Sequence, residues 1–179
     1  FFVCCFLGVA TVVGVFLPIF LFEFFGTNAT IYFIFLLVLY SLRIPTFVLA
    51  AKTFEHIGLK AAMMIGTVAW VIYYALIAYL DQIGSWPYVA LGLAAVSLTV
   101  IVAFYWAPFH TDFATFSKKG KRGREVGIMY AAKFVIGVGG PLLGGWLVSI
   151  HSYGLAFLVG IVLVLASIVP LLFVPKVKT

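Results

Sequence analysis

The sequence predicts an all-α integral membrane protein, a bundle of six transmembrane helices. Three observations carry this reading. First, 65% of the 179 residues are hydrophobic and only 9% are charged, against roughly 25% charged in a soluble domain. A soluble shape cannot hide that much apolar surface, because its exterior must offer water something polar. A bilayer removes the constraint, and the mean hydropathy of +1.26 agrees. Second, charge-poor runs of about 20 residues, the length that crosses the hydrocarbon core as a helix, recur along the whole chain. Third, the basic residues that lie between these runs fall in alternate connections only. Strands are excluded by the same runs, since a membrane barrel alternates polar and apolar residues in short segments. Helices bond their own backbone in lipid.

Taken in order, the spans are expected at about 1–24, 29–50, 60–80, 85–109, 126–150 and 155–174. The first closes at Glu23 and the turn Gly26-Thr27-Asn28. It has neither the basic start nor the A-x-A site of a cleaved signal peptide, and it is long enough to span. The chain opens inside this apolar run without an initiator Met, so it reads as trimmed at its start. Cys4 and Cys5 are adjacent and are the only cysteines. That excludes a disulfide framework and leaves them as small packing residues. The third span closes at Asp81-Gln82. His151-Ser152-Tyr153-Gly154 divides the last two, because the uncharged stretch from Phe134 to Pro175 is too long for one helix.

The charges orient the bundle. Lys52, Glu55, His56 and Lys60 lie between spans two and three. Lys118, Lys119, Lys121, Arg122 and Arg124 lie between spans four and five, and Lys176 and Lys178 lie in the tail. The three opposite connections hold no Lys or Arg. The positive-inside rule places the start, both basic loops and the tail in the cytoplasm. The run from Lys118 to Arg124 is thus a topology signal with some attraction to anionic lipid, and not a nucleic-acid surface.

Two stretches carry more than topology. Between spans two and three, Glu55, His56, Gly58 and Lys60 sit in an Ala51–Lys60 loop. A tight turn there favours a glycine, and an acidic and a basic group can dock at neighbouring helix ends. In the fifth span, Gly137, Gly140, Pro141, Gly144 and Gly145 form a glycine-rich run. Gly137, Gly140 and Gly144 fall near one helical face, where small residues let backbones approach, and Pro141 can bend the helix.

These stretches resemble the major facilitator superfamily. The first is similar to its signature loop, G-x-x-x-D-R-x-G-R-K, with Ala51 and Leu59 as departures. The second is similar to its fifth-helix motif, G-x-x-x-G-P-x-x-G-G, with Gly137 one residue out of register. Arg122-Gly123 and Gly127 resemble the loop that precedes it. The order of motifs implies an N-terminal six-helix half, a single domain of two three-helix inverted repeats, within a twelve-helix protein. The resemblance implies that the signature loop latches two halves, with Asp112 at the end of span four as a partner for Lys60 or Lys52. It also implies that spans one and four line the path. The proton-coupled drug antiporters of the family carry a buried Arg in helix four. Span four here has none, so proton-driven drug export is not implied.

Four further residues are candidates for a cavity or substrate role: Arg43, Lys133, Tyr105 and Trp106. Arg43 and Lys133 lie inside spans two and five, where charge is costly and usually turns to a cavity. The competing reading for both is snorkelling to the nearer interface. For Tyr105 and Trp106, and for Trp86 and Tyr88, it is the interfacial aromatic belt. His110 and His151 fall on opposite sides, and no metal site, cofactor site or catalytic constellation is apparent. The chain is therefore expected not to be an enzyme.

The function this implies is facilitative or ion-coupled movement of a small solute across the cytoplasmic membrane by alternating access. The partners would be the solute, a coupling ion, lipid, and a second six-helix half or partner chain. The alternative is a non-transporting scaffold or partner-binding helix bundle.

Overall fold

The computed structural model describes residues 14, 16–82, 84, 86–116, 120, 122–150 and 153–173. The side chains of 112–116, 122 and 170–172 lie outside that description. Every regular element among the described residues is helical. Cys4, Cys5, Lys118, Lys119, Lys121, His151, Lys176 and Lys178 fall outside the described residues.

Helix α1 runs Phe16–Phe24. Gly26 at φ 66° ends it. The Gly26 N–H donates to the Glu23 carbonyl at 3.2 Å, and the Thr27 N–H to the Phe22 carbonyl at 2.8 Å. This is the paired 5→2 and 6→1 bonding of a Schellman cap. Thr27 follows at φ 64°, the one non-glycine residue with positive φ among those described. Asn28 then caps the next helix, its side-chain oxygen accepting from the Thr30 N–H at 3.0 Å. A stop and a start are thus made in three residues.

Helix α2 runs Ala29–Ala78, 50 residues. Straight, it would be roughly 75 Å long, more than twice a hydrocarbon core. It is not straight. Gly58 takes φ 77°, ψ 162°, a conformation essentially confined to glycine, and divides α2 into arms 29–57 and 59–78. Ala50 and Ala62, on either side of the break, are both fully buried against Ala103 and Phe104. The stretch read as a loop, 51–60, is therefore helical apart from Gly58. Polar residues at 52, 55 and 56 extend the helix beyond the apolar run instead of ending it, because a helix leaving the bilayer has no reason to unwind in water.

Pro87 opens α3, Pro87–Ile101, at the position where its missing N–H is harmless. The helix continues through a π-helical turn, Val102–Trp106, into α4, Ala107–Phe116. Pro108 supplies the cause. Its ring would collide with the Phe104 carbonyl one turn back, and a widened turn immediately before it relieves the collision. Helices α5, Arg122–Ile150, and α6, Tyr153–Phe173, complete the chain. Among the described residues, and counting α2 once, three helices are long and apolar enough to cross a membrane; the apolar part of α6, Tyr153–Val169, is shorter.

The core lies where both arms of α2 pack on α3 and the π turn, with α6 against α2. Tyr73, Tyr74, Tyr105, Phe157 and Leu21 are buried there. The outside is as apolar as the inside: Leu37, Ile44, Val138, Leu142 and Phe173 are all exposed. In water that surface would drive association; in lipid it is the solvent-matched face.

Candidate functional site

The geometry separates the sequence candidates into four places. The first is the break at Gly58. Glu55 and His56 are exposed on the turn before it, and Lys60 is half-buried on the turn after it. Gly58 holds the positive φ that the loop pattern anticipates. The Asp112 side chain, proposed as a partner for Lys60 or Lys52, lies outside the description.

The second is the glycine face of α5. Gly140 and Gly144 are buried, while Gly137, Pro141 and Gly145 are partly so. A Cβ added at Gly145 would touch the Phe16 ring at 3.5 Å, ordinary contact with α1. A Cβ at Gly137 would meet nothing within 4 Å. The face is therefore occupied at one end and open at the other. Gly123 and Gly127, from the loop resemblance, also face open space.

The third is an aromatic cluster around the π turn. Tyr105 is 1% exposed, which removes it from any interfacial belt and from the wall of an open cavity. Its ring stacks on Phe109, at 6.2 Å and 6°, and meets Trp70 edge-on at 6.3 Å. Trp106, half-buried, stacks on His110 at 5.9 Å and 25°. Trp86 and Tyr88 are exposed at the other end of the span, as belt residues should be.

Gly66 was not foreseen. A Cβ there would fall 2.7 Å from Tyr105 Cβ and 2.9 Å from the Tyr105 backbone nitrogen. The second arm of α2 thus meets the π turn backbone to backbone, and only glycine fits. The spacing Ala62-x-x-x-Gly66 and the proline at 108 were the available signals.

The fourth place is the pair of intramembrane cations. Arg43 is half-buried, and its Nε is enclosed without a hydrogen-bond partner. Its guanidinium carbon sits 4.5 Å from the centre of the Tyr40 ring. Lys133 is exposed, with Nζ 5.8 Å from the Tyr130 ring centre. Because the first arm of α2 continues to residue 57, Arg43 lies 14 residues from either end of it, roughly 21 Å. The exposed polar residues from Lys52 on lie beyond the apolar run, nine residues from Arg43, so snorkelling towards that interface stands beside the cavity role. Apart from these places, α2 and α3 form a shallow groove of about 200 Å³ with an almost wholly carbon lining, including Ile34, Phe35, Leu91 and Ala95. Neither cation lines it.

At the end opposite Gly58, the Tyr153 hydroxyl donates to Glu23 Oε2 at 2.9 Å, tying α6 to α1. Phe20 packs on Tyr153 and Phe157 beneath this bond, at 5.3 Å in each case.

Compared with known proteins, the chain matches the family model of the Major Facilitator Superfamily over residues 1–179. No curated protein and no solved structure matches it.

Proposed function

We propose the following role on the premise that the chain belongs to the major facilitator superfamily and is a membrane transporter: it forms one six-helix half of an alternating-access carrier for a small solute. The observation that supports this reading most is the uneven covering of the bundle. Spans three and four are closed on each other at Gly66, whereas α5 leaves its apolar surface and part of its glycine face open. A second bundle would cover that surface and enclose the solute near mid-depth. On this reading the break at Gly58 and the basic connections face the cytoplasm, and Glu55, His56, Lys60 and Asp112 form the latch that holds the halves in one state. The glycine face of α5, with Pro141, is where the helix bends or slides as the halves rock.

The test uses the natural full-length protein in proteoliposomes. Single cysteines placed beside Gly58 and beside Tyr153 should change their labelling rates in opposite directions when solute is added, together with counterflow uptake. Labelling that ignores every solute, in a protein that transports none, would favour the scaffold role.

A further inference from the structure

We infer that the groove between α2 and α3 holds one acyl chain of a phospholipid whose headgroup carries an ammonium. The inference stands on the placement of the chain in a membrane and not on what it transports. The Phe25 ring stacks on Tyr88 at 5.4 Å, which sets the start of α2 beside the start of α3. Below that stack the groove runs from Ile31 and Tyr88 to Val38 and Ala95. Each wall covers about two helical turns, roughly 10 Å, or about two-thirds of one leaflet's hydrocarbon. Phe35, Leu91 and Ala95 form a buried floor, and Ile34, Val38 and Tyr88 an exposed mouth. Gly92 gives the groove its depth, since a Cβ there would meet nothing within 4 Å.

The lining and the width name the occupant. With walls almost wholly of carbon, the groove would strip a polar solute of water and return no hydrogen bond. A volume of about 200 Å³ over roughly 10 Å makes a slot of about 20 Å² in cross-section. That is the width of a single extended hydrocarbon chain. A helix is about 10–12 Å across and could put only separate side chains into such a slot. A straight chain lies along it with contact on three sides. In lipid that contact, and not the exclusion of water, is what holds it.

The charges at the upper end select the headgroup. Trp86 and Tyr88 are exposed there, at the depth where headgroups lie. The sequence has no Lys or Arg from residue 1 to 42 or from 61 to 117. The connections at this end therefore offer an anionic lipid none of the cations that would hold it. Their charges are Glu23, two residues before Phe25, and Asp81, both exposed. Two carboxylates and the open face of a tryptophan attract an ammonium and repel a net negative headgroup. A zwitterionic phospholipid fits both parts of the site.

The experiment titrates the delipidated natural full-length protein in detergent with phosphatidylethanolamine, and with phosphatidylglycerol of the same chains. Native mass spectrometry counts the lipids bound. The parent should take up one phosphatidylethanolamine that saturates before the rest, and should bind phosphatidylglycerol there more weakly. Gly92→Leu fills the slot and should weaken that lipid about tenfold or more, the worth of one large apolar contact. Trp86→Ala should narrow the preference between the two lipids about twofold to fivefold. Ile34→Asn sets a polar group on the exposed mouth and should also weaken the lipid; it decides if Gly92→Leu does not fold. A saturating lipid held equally by the parent, Gly92→Leu and Ile34→Asn overturns the inference, and so does a preference for phosphatidylglycerol. Absence of any saturating lipid on the parent overturns it too; a loss of thermal stability in Gly92→Leu would then give the groove to a packed helix of the second bundle. Solute uptake is measured separately, so failure here leaves the carrier reading standing.

Discussion

Two regions of this protein use small residues in membrane helices and reach opposite ends. In the fourth span, half of the most apolar window is buried inside the bundle; in α5 the figure is 6%. Gly66 of the third span lies against the backbone of Tyr105, and the contact is complete within the chain. The glycines of α5 are more numerous and more densely spaced, yet Gly137 faces nothing within 4 Å. A small residue in a membrane helix permits close approach, but the partner must be supplied. The third span finds its partner in the fourth, and the fifth leaves most of its surface uncovered by the described residues.

The sharpest way to break that comparison is at Gly66. Leucine there must displace backbone, not a flexible side chain, so a loss of about 3 kcal/mol or more is expected. Fluorescence-detected size exclusion should show little folded protein, and Gly66→Ala should fall between that and the parent. Tyr105→Ala comes next. Emptying a fully buried aromatic site should cost about 3–5 kcal/mol, read as an earlier transition in thermal unfolding in detergent. If either variant were as stable as the parent, spans three and four would not be the packed part of the molecule.

Gly137→Ala sharpens the comparison from the other side. With open space at the Cβ and better helix propensity, it should leave stability unchanged or raise it by up to about 1 kcal/mol. On the carrier reading it should still reduce transport, because the methyl group would meet the second bundle. Unchanged stability with unchanged transport would make the open face plain lipid-facing surface.

The contrast also shows what the sequence could and could not carry. Helix class and membrane placement were legible because 65% hydrophobic content and charge-poor runs admit one solvent. The loop at 51–60 was misjudged for a physical reason. Charge marks where a helix leaves lipid, not where it stops, so only Gly58 breaks the helix there. Tyr105 was assigned by its distance from the span end, a guide to depth but not to facing. Its burial comes from Gly66, on a different span, and from the π turn that Pro108 imposes. Such long-range contacts leave only a weak trace in local sequence, here an Ala62-x-x-x-Gly66 spacing.

The smallest expected effect concerns the end of the bundle, where neither extreme applies. Tyr153 and Glu23 join α6 to α1 through one hydrogen bond at an exposed site. Water competes for both partners there, so the bond adds little to stability. Tyr153→Phe keeps the ring packed on Phe20 and removes only the donor. The expected loss is about 1 kcal/mol or less, while Tyr153→Ala, which also removes the ring, should cost clearly more. The difference between the two variants in thermal unfolding measures packing against hydrogen bonding at one position. If Phe cost as much as Ala, the hydroxyl would be holding the two helices, and the packed part of the molecule would extend to this end. If Phe cost nothing measurable, the aromatic stack alone would join α1 to α6, as the burial of Phe157 beneath it already favours.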